Sequence, residues 1–270
     1  MATRRASRDA SVILLAIPFG LAIGLVVGTV GGGGAILALP VLVYVLGEPP
    51  GPASTASLVV VAIAAAVGAG RPAIDGRVCW RVACLFAGPA AVGALAGAVL
   101  NERADGRVLI VAFIPVMLAA AAATWRRAGQ DHGGEKDGTC AHVTTRQIAP
   151  AGLAVGVLTG FFGVGGGFVI VPLLTVWLGL PFRRAVATSL VIISLTGLAA
   201  LTSHLVAGSG LADLGLTAAL AFSTAVGAFG GSMIGERVPQ AALGKAFALM
   251  VFVVAAFLLV NVLLLGGPPT

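Results

Sequence analysis

Charge is what this sequence has least of. Of its 270 residues, 10% are Asp, Glu, Lys or Arg and 59% are hydrophobic, with a mean hydropathy of +1.07. A soluble domain carries about 25% charged residues. So little charge cannot cover a globular surface in water, which excludes a soluble enzyme and a nucleic-acid-binding domain. Cysteine is also scarce: Cys79, Cys84 and Cys140 are odd in number and lack metal-ligand spacing. They read as small apolar residues or loop thiols. Catalytic signatures are missing too. There is no Gly-x-Ser-x-Gly, no His-Glu-x-x-His and no phosphate loop ending in Gly-Lys-Ser/Thr. Ser203 and His204 cannot form a membrane protease pair, because adjacent helical residues point apart. No enzyme, cofactor or metal is expected.

What is present is long uncharged runs: 10–47, 49–70, 82–101, 108–125, 147–182, 185–212, 214–235 and 246–270. A spanning helix needs about 20 apolar residues, so each run can cross a bilayer. The chain is therefore expected to be an all-α, polytopic integral membrane protein with 8–10 hydrophobic helical segments. The first and fifth runs, 38 and 36 residues long, are too long for one helix. At about 1.5 Å per residue the first would reach roughly 57 Å, twice the hydrocarbon core. Each has a place to break: Gly31-Gly32-Gly33-Gly34, and Gly163-Val164-Gly165-Gly166-Gly167. The N-terminal Thr3-Arg4-Arg5-Ala6-Ser7-Arg8 precedes an apolar stretch without a convincing cleavage site, so a retained first helix is expected.

The run lengths go long, short, short, short, twice, which prompts a search for an internal repeat. With a shift of 132, Gly28 to Pro40 falls on Gly160 to Pro172, Leu46-Gly47-Glu48-Pro49 on Leu178-Gly179-Leu180-Pro181, and Ala53, Ser57 and Leu58 on Ala185, Ser189 and Leu190. After a two-residue slip, Gly93-x3-Gly97 falls on Gly227-x3-Gly231 and Glu102-Arg103 on Glu236-Arg237. The expected organisation is a basic tail over 1–9, a first membrane repeat over 10–125, a polar linker over 126–146 and a second repeat over 147–265.

The ordered set Gly-x-x-Gly-x-Gly-Gly-Gly-(x)4-Pro, Leu-Gly-x-Pro and Ala-x-x-Thr-Ser-Leu, duplicated, resembles the TauE/SafE sulfite exporter family. The second half supplies it as Gly160 to Pro172, Leu178 to Pro181 and Ala185 to Leu190; the first half is a degraded copy, with Ala35 in place of the last Gly. The resemblance covers roughly residues 12–265. It implies a secondary carrier, exporter or permease, in a bacterial-type plasma (inner) membrane. Its partners would be the lipid bilayer and a small sulfur-containing anion such as sulfite or an organosulfonate, with no nucleic acid.

Two topologies fit the charges. Eight crossings in parallel repeats, N-terminus inside, put 10 Lys+Arg inside and 6 outside. Five segments per half in inverted repeats, with each long run a hairpin at its Gly cluster and the N-terminus outside, put 11 inside and 5 outside. The basic bias of cytoplasmic loops barely separates these. Inverted repeats meeting at broken helices are a recurrent carrier architecture, which tips the reading to the second. The stretch 35–46 would be about 18 Å long as a helix, too short to span fully.

The candidate site follows from the breaks. Backbone groups freed from helical pairing survive at membrane depth only where protein or a water-filled cavity satisfies them. Two such breaks at equivalent repeat positions point to a carrier's binding site. The expected substrate-lining residues are therefore Gly31, Gly33, Gly34 and Pro40 in the first half and Gly163, Gly165, Gly166, Gly167 and Pro172 in the second. The helix after each cluster would offer free N–H groups to an oxyanion. Thr188, Ser189, Thr55 and Ser57 could donate hydroxyls to it; they could equally cap a helix start or bond between helices. His204 is an ionisable residue within an uncharged run and a candidate for proton coupling. Arg71, at the end of the second run, would attract an anion or simply snorkel. Gly20-x3-Gly24-x3-Gly28, Gly93-x3-Gly97 and Gly227-x3-Gly231 read as helix-packing glycines. Asp75, Arg77, Arg81, Glu102, Arg103, Glu236 and Arg237 read as ordinary loop charges. A passive channel built on Gly-rich re-entrant segments is the main alternative to a carrier.

Overall fold

The computed structural model describes residues 2–48, 50–101, 106–130, 140, 145–162, 167–206 and 214–265, and among them the chain forms helices and no strand. Ten α-helices follow in order: α1 Ala2–Val30, α2 Ala35–Pro40, α3 Pro50–Ile74, α4 Trp80–Asn101, α5 Gly106–Gln130, α6 Thr145–Phe162, α7 Gly167–Val176, α8 Phe182–Val206, α9 Leu214–Arg237 and α10 Gln240–Leu265. Among the described residues, stretches of α3, α4, α8, α9 and α10 are long and apolar enough to cross a membrane. Their outward faces are apolar too: Phe222 is 74% exposed and Val92 61%. Water would penalise such a surface, whereas lipid solvates it. Pro89 and Pro115 lie inside helices, where they would cost about 3 kcal/mol in a soluble helix; in a membrane bundle, neighbouring groups re-satisfy the freed carbonyls.

Small residues hold the bundle together. Along one seam, α1 and α9 run parallel. A Cβ on Gly24 would strike the Thr224 carbonyl, one on Gly28 the Ala228 carbonyl, and one on Gly227 the Leu21 carbonyl. Along the other, α4 and α6 run parallel, with Gly93 against Leu153, Gly156 against Ala90 and Gly160 against Ala94. Without a hydrophobic force between helices in lipid, close backbone approach is what drives association. The packing glycines read from the sequence do this work. Their partners Gly152 and Gly156 were not singled out in the sequence, and Gly160 was named only as the start of the second-half motif.

The pairings cross between the halves of the chain. The first helix of the first half lies on the fourth of the second, and the fourth of the first half on the first of the second. Two further cross pairs, α3 with α8 and α5 with α10, are antiparallel. In α3 and α8, Gly68 sits against Leu190 while Gly197 sits against Ala62. In α5 and α10, Gly244 sits against Ala128 and the Lys245 Nζ lies 6.0 Å from the centre of the Trp125 ring.

One end of the bundle gathers charge. Arg77 Nη1 donates to Glu236 Oε1 at 3.3 Å, and Arg183 Nη2 donates to the Glu236 and Val238 carbonyls at 2.9 and 3.0 Å. Eight crossings would place Arg77 and Glu236 on opposite sides of the bilayer, so the ten-segment arrangement is the one that fits. Trp80, Trp125 and Trp177 are half-exposed at this same end, the level at which amphipathic rings sit in a membrane interface.

The cysteine expectation is corrected here. Cys79 and Cys140 form a disulfide with Cα atoms 5.6 Å apart, and Cys84 is free and exposed. The partners are separated by 61 residues, so no local spacing announces the bond. It fixes Cys140, within the polar linker, to the start of α4. Glu236 and Arg77 are not ordinary loop charges either: they are bonded to each other across 159 residues of sequence.

Candidate functional site

The site is built from the break that ends α1 and from the start of α7. α1 ends at Val30, and Gly31 takes φ +82° while its N–H still donates to the Val27 carbonyl at 2.9 Å. That left-handed backbone costs a residue with a Cβ about 1–2 kcal/mol and costs glycine nothing. Gly32–Gly34 then make a tight turn and α2 begins at Ala35. A Cβ on Gly34 would meet Ile23 and Val27, so the chain has folded back along α1 rather than continuing it. Pro40 closes α2, and because it has no N–H to give the preceding turn, the next residues, Val41–Val45, widen into a π turn closed by Leu46 N–H to the Val41 carbonyl at 3.0 Å.

The second half repeats this geometry after its own cluster. Leu178 N–H donates to Leu173, and Leu180 to Leu174, as Leu46 donates to Val41 and Glu48 to Leu42. Gly179 has φ +67° and Gly47 φ +72°. All these pairs are separated by the same 132 residues. Gly163, Gly165 and Gly166 lie outside the described residues; Gly167 opens α7.

The two clusters touch. A Cβ on Gly32 would overlap the backbone of Gly167, and one on Gly167 would come within 2.7 Å of the Gly32 Cα and 2.8 Å of Ile193. A Cβ on Gly31 would lie 2.9 Å from the Ser189 hydroxyl and 3.4 Å from Val186. Thus Gly31 and Gly167, named from the sequence as members of the paired Gly clusters, and Ser189, named for its hydroxyl, converge on one buried region. α7 opens at this point with Gly167, and the first turn of a helix carries N–H groups that its own carbonyls do not reach. Pro172 is buried in α7, and Pro40 is half-buried.

The hydroxyls are not helix caps. Thr188 and Ser189 lie six and seven residues past the start of α8 at Phe182, about 10 Å along it. Ser189 donates to the Val186 carbonyl at 2.8 Å, and Thr188 accepts from the Cys79 N–H at 3.2 Å. Thr55 is buried and Ser57 half-buried in α3. His204 belongs to the last turn of α8, about 22 Å along the helix from Ser189, and does not join this convergence. Arg71 ends α3 beside Pro72 and pairs with Glu236 at 3.6 Å.

Sequence reasoning missed a cleft of about 30 Å³ at the charged end. Its lining includes Gly28, Thr29, Arg77, Arg183, Val186 and Glu236. Val186 also faces Gly31, so the cleft reaches to within one residue of the convergence point. No local signal marks it, because its charges come from three distant segments.

Comparisons with known proteins agree on the class. Residues 16–258 match the model of the family described as sulfite exporter TauE/SafE. A probable membrane transporter protein of Xylella fastidiosa (strain 9a5c) is 31% identical over 251 residues, covering 92% of this chain and 95% of that protein. One from Haemophilus influenzae is 26% identical, covering 90% and 96%. A third, from Methanocaldococcus jannaschii, is 45% identical over 58 residues, about a fifth of either chain. No solved structure matches the chain.

Proposed function

The chain belongs to the TauE/SafE sulfite exporter family, an integral membrane transporter family, and from that premise we propose that it is a secondary carrier of small sulfur-containing anions such as sulfite or organosulfonates. The observation that carries this reading is the contact between Gly31–Gly32 and Gly167 beside Ser189. The anion would bind there, with Gly31, Gly33 and Gly34 of the first cluster and Gly163, Gly165, Gly166 and Gly167 of the second as its proposed lining; the Gly31 N–H is already given to the Val27 carbonyl, so the donors would be other amides of the clusters. Backbone donors hold an oxyanion without placing a fixed charge inside the membrane. Pro40 and Pro172 would keep the short helices α2 and α7 interrupted, and Thr188, Ser189 and Ser57 are the hydroxyls proposed to meet the anion. The protein acts as a transporter rather than an enzyme.

We read the two halves as inverted copies in a bacterial-type inner membrane. The crossed pairings, the antiparallel α3–α8 and α5–α10 contacts and the backbone bonds repeated at 132 residues all support this, and such repeats are the frame on which many carriers alternate their access. The charged end, which carries 11 of the 16 Lys+Arg when linker and adjoining loops are counted, faces the cytoplasm. A reducing cytosol keeps thiols open, so with this topology the Cys79–Cys140 bond would be reduced to two thiols in the cell and would form by air oxidation after lysis. Alkylation before lysis should label three cysteines, and after aerobic lysis one; a single labelled cysteine in intact cells would turn the topology over.

The test of function is ligand-induced stabilisation of purified protein, followed by liposome flux. The panel holds sulfite, thiosulfate, taurine, sulfoacetate, acetate, phosphate and simple cations. A ligand that binds only the folded state raises the Tm by mass action. We expect a shift with sulfite or a sulfonate and saturable flux of that anion. A shift and flux confined to a cation or a non-sulfur solute would overturn the substrate, and flux that never saturates would make the protein a channel.

A further inference from the structure

We propose that Arg77 and Arg183 form an anion-admission subsite at the mouth of the cleft, held shut by the Glu236 carboxylate, which the incoming oxyanion displaces. The inference rests on the anion-carrier reading above and names the residues that would first meet the anion.

The charge arrangement comes first. Three arginines, Arg71, Arg77 and Arg183, face two carboxylates here, Asp75 and Glu236. Glu236 Oε1 takes both Arg77 Nη1 at 3.3 Å and Arg71 Nε at 3.6 Å. Arg77 also lies 3.8 Å from Asp75. The cluster is left with one formal positive charge, so a monovalent anion added to it brings neutrality.

Arg183 supplies the second observation. Its Nη2 is committed to the Glu236 and Val238 carbonyls at the C-terminal end of α9, where the helix dipole favours a cation. Its Nε is buried and has no hydrogen-bond partner among the described residues. Buried N–H groups of a guanidinium are nearly always bonded, and Arg183 lines the cleft. An oxygen of a sulfite or sulfonate placed there would meet this donor, while a second oxygen took Arg77 from Glu236. The neighbouring hydroxyls would not compete for the role. Thr29 donates to the Leu25 and Val26 carbonyls and Ser232 to the Phe229 carbonyl, so both present only lone pairs to the cleft. The arginines alone attract an anion. Below them, Gly28 and Val186 lead to Gly31 and Ser189.

The same carboxylate also fastens the structure. Glu236 on α9 holds Arg71 and Arg77 from the end of α3, joining the second half of the chain to the first. An anion that replaces it at Arg77 therefore both enters and loosens that clasp.

The experiment uses the protein in liposomes, with sulfite flux as the readout, and anion-induced Tm shifts in detergent alongside. Glu236→Gln keeps shape and hydrogen bonding but removes the competing charge; KM should fall about three- to tenfold. Arg183→Lys keeps the charge and one carbonyl bond but removes Nε; KM should rise about tenfold or more, the worth of one charge-assisted hydrogen bond. The Tm shifts should move the same way. If Arg183→Lys does not yield folded protein, Arg77→Gln tests the same arm and should also raise KM. Opposite shifts in KM support the subsite. Saturable wild-type flux with KM unchanged in both variants, or raised in both, overturns the subsite and leaves the carrier standing. No saturable anion flux in the wild type overturns the carrier reading and the subsite with it.

Discussion

Glycine plays two opposed roles in this bundle. In the α1–α9 and α4–α6 seams it sits in ordinary helix, and what matters is the atom it lacks. At the contact between the two clusters it sits where the helix stops, and what matters is the backbone it permits or exposes. The seams are built from spacing: every fourth residue faces a partner carbonyl, and the contact repeats over several turns. The cluster contact is built from one meeting of Gly31 and Gly32 with Gly167, flanked by Ser189 and Ile193. A seam resists change because a displaced residue moves two long helices. The cluster contact is a junction of short elements, with a six-residue α2 and a ten-residue α7, and short elements can shift without unfolding the rest. Rigid seams and a local junction are what a carrier needs if bodies are to move about a fixed site.

The largest effect should come from a seam. In Gly156→Val the new side chain meets the Ala90 carbonyl and Cα, which are backbone and cannot rotate away. Overpacking a core commonly costs about 1–3 kcal/mol even when side chains can adjust; here α4 and α6 must separate. We expect little folded protein by size exclusion. A monodisperse variant with the wild-type Tm would show that the seam yields, and would erase the distinction drawn above.

Gly32→Ala should separate stability from function. Its Cβ is aimed at Gly167, so the two short elements are pushed apart while the seams stay whole. Folded yield should remain near wild type and saturable flux should fall about tenfold or more, the scale expected when a binding geometry is displaced by an ångström. Loss of folded protein matching that of Gly156→Val would mean the junction is part of the scaffold.

How far the sequence foretold these regions follows from the range of each interaction. The seams were legible because Gly-x3-Gly is a local pattern and its meaning in a membrane is physical. The break after α1 was legible because 38 uncharged residues cannot be one span. That Gly31 and Ser189 would meet was suggested only by their equivalence to other positions in the other half. The Arg77–Glu236–Arg183 cluster was invisible, since its members lie at 77, 183 and 236 and each alone looks like a loop charge. Cys79 and Cys140 were unreadable for the same reason. His204 drew notice as an ionisable residue, and it lies in the last turn of α8, about 22 Å along that helix from Ser189.

A smaller effect tests the backbone requirement at the break. Gly31 has φ +82°, and the Ser189 hydroxyl lies 2.9 Å from where a Cβ would sit. Gly31→Ala should destabilise by about 1–2 kcal/mol from the backbone alone, since a hydroxyl can turn aside. Thermal unfolding in detergent should register a modest fall in Tm, with flux reduced but measurable. An unchanged Tm would mean that the turn relaxes into an ordinary conformation, and that the break does not depend on glycine.

The smallest effect is the control that gives the others meaning. Gly88 and Gly230 are helical glycines with no atom within 4 Å of a Cβ. They belong to neither class, because nothing approaches them and neither has a left-handed backbone. Ala is the better helix former by up to about 1 kcal/mol, so Gly88→Ala and Gly230→Ala should leave flux unchanged and Tm equal or slightly raised. Gly230 is the sharper of the two, since it adjoins Gly231, whose Cβ would strike the Leu25 carbonyl. Two neighbouring glycines on one helix should therefore respond with opposite signs to the same added methyl group. Such a pair isolates contact geometry from composition and from helix propensity, and a shared sign would remove the argument that spacing, rather than glycine content, makes the seam.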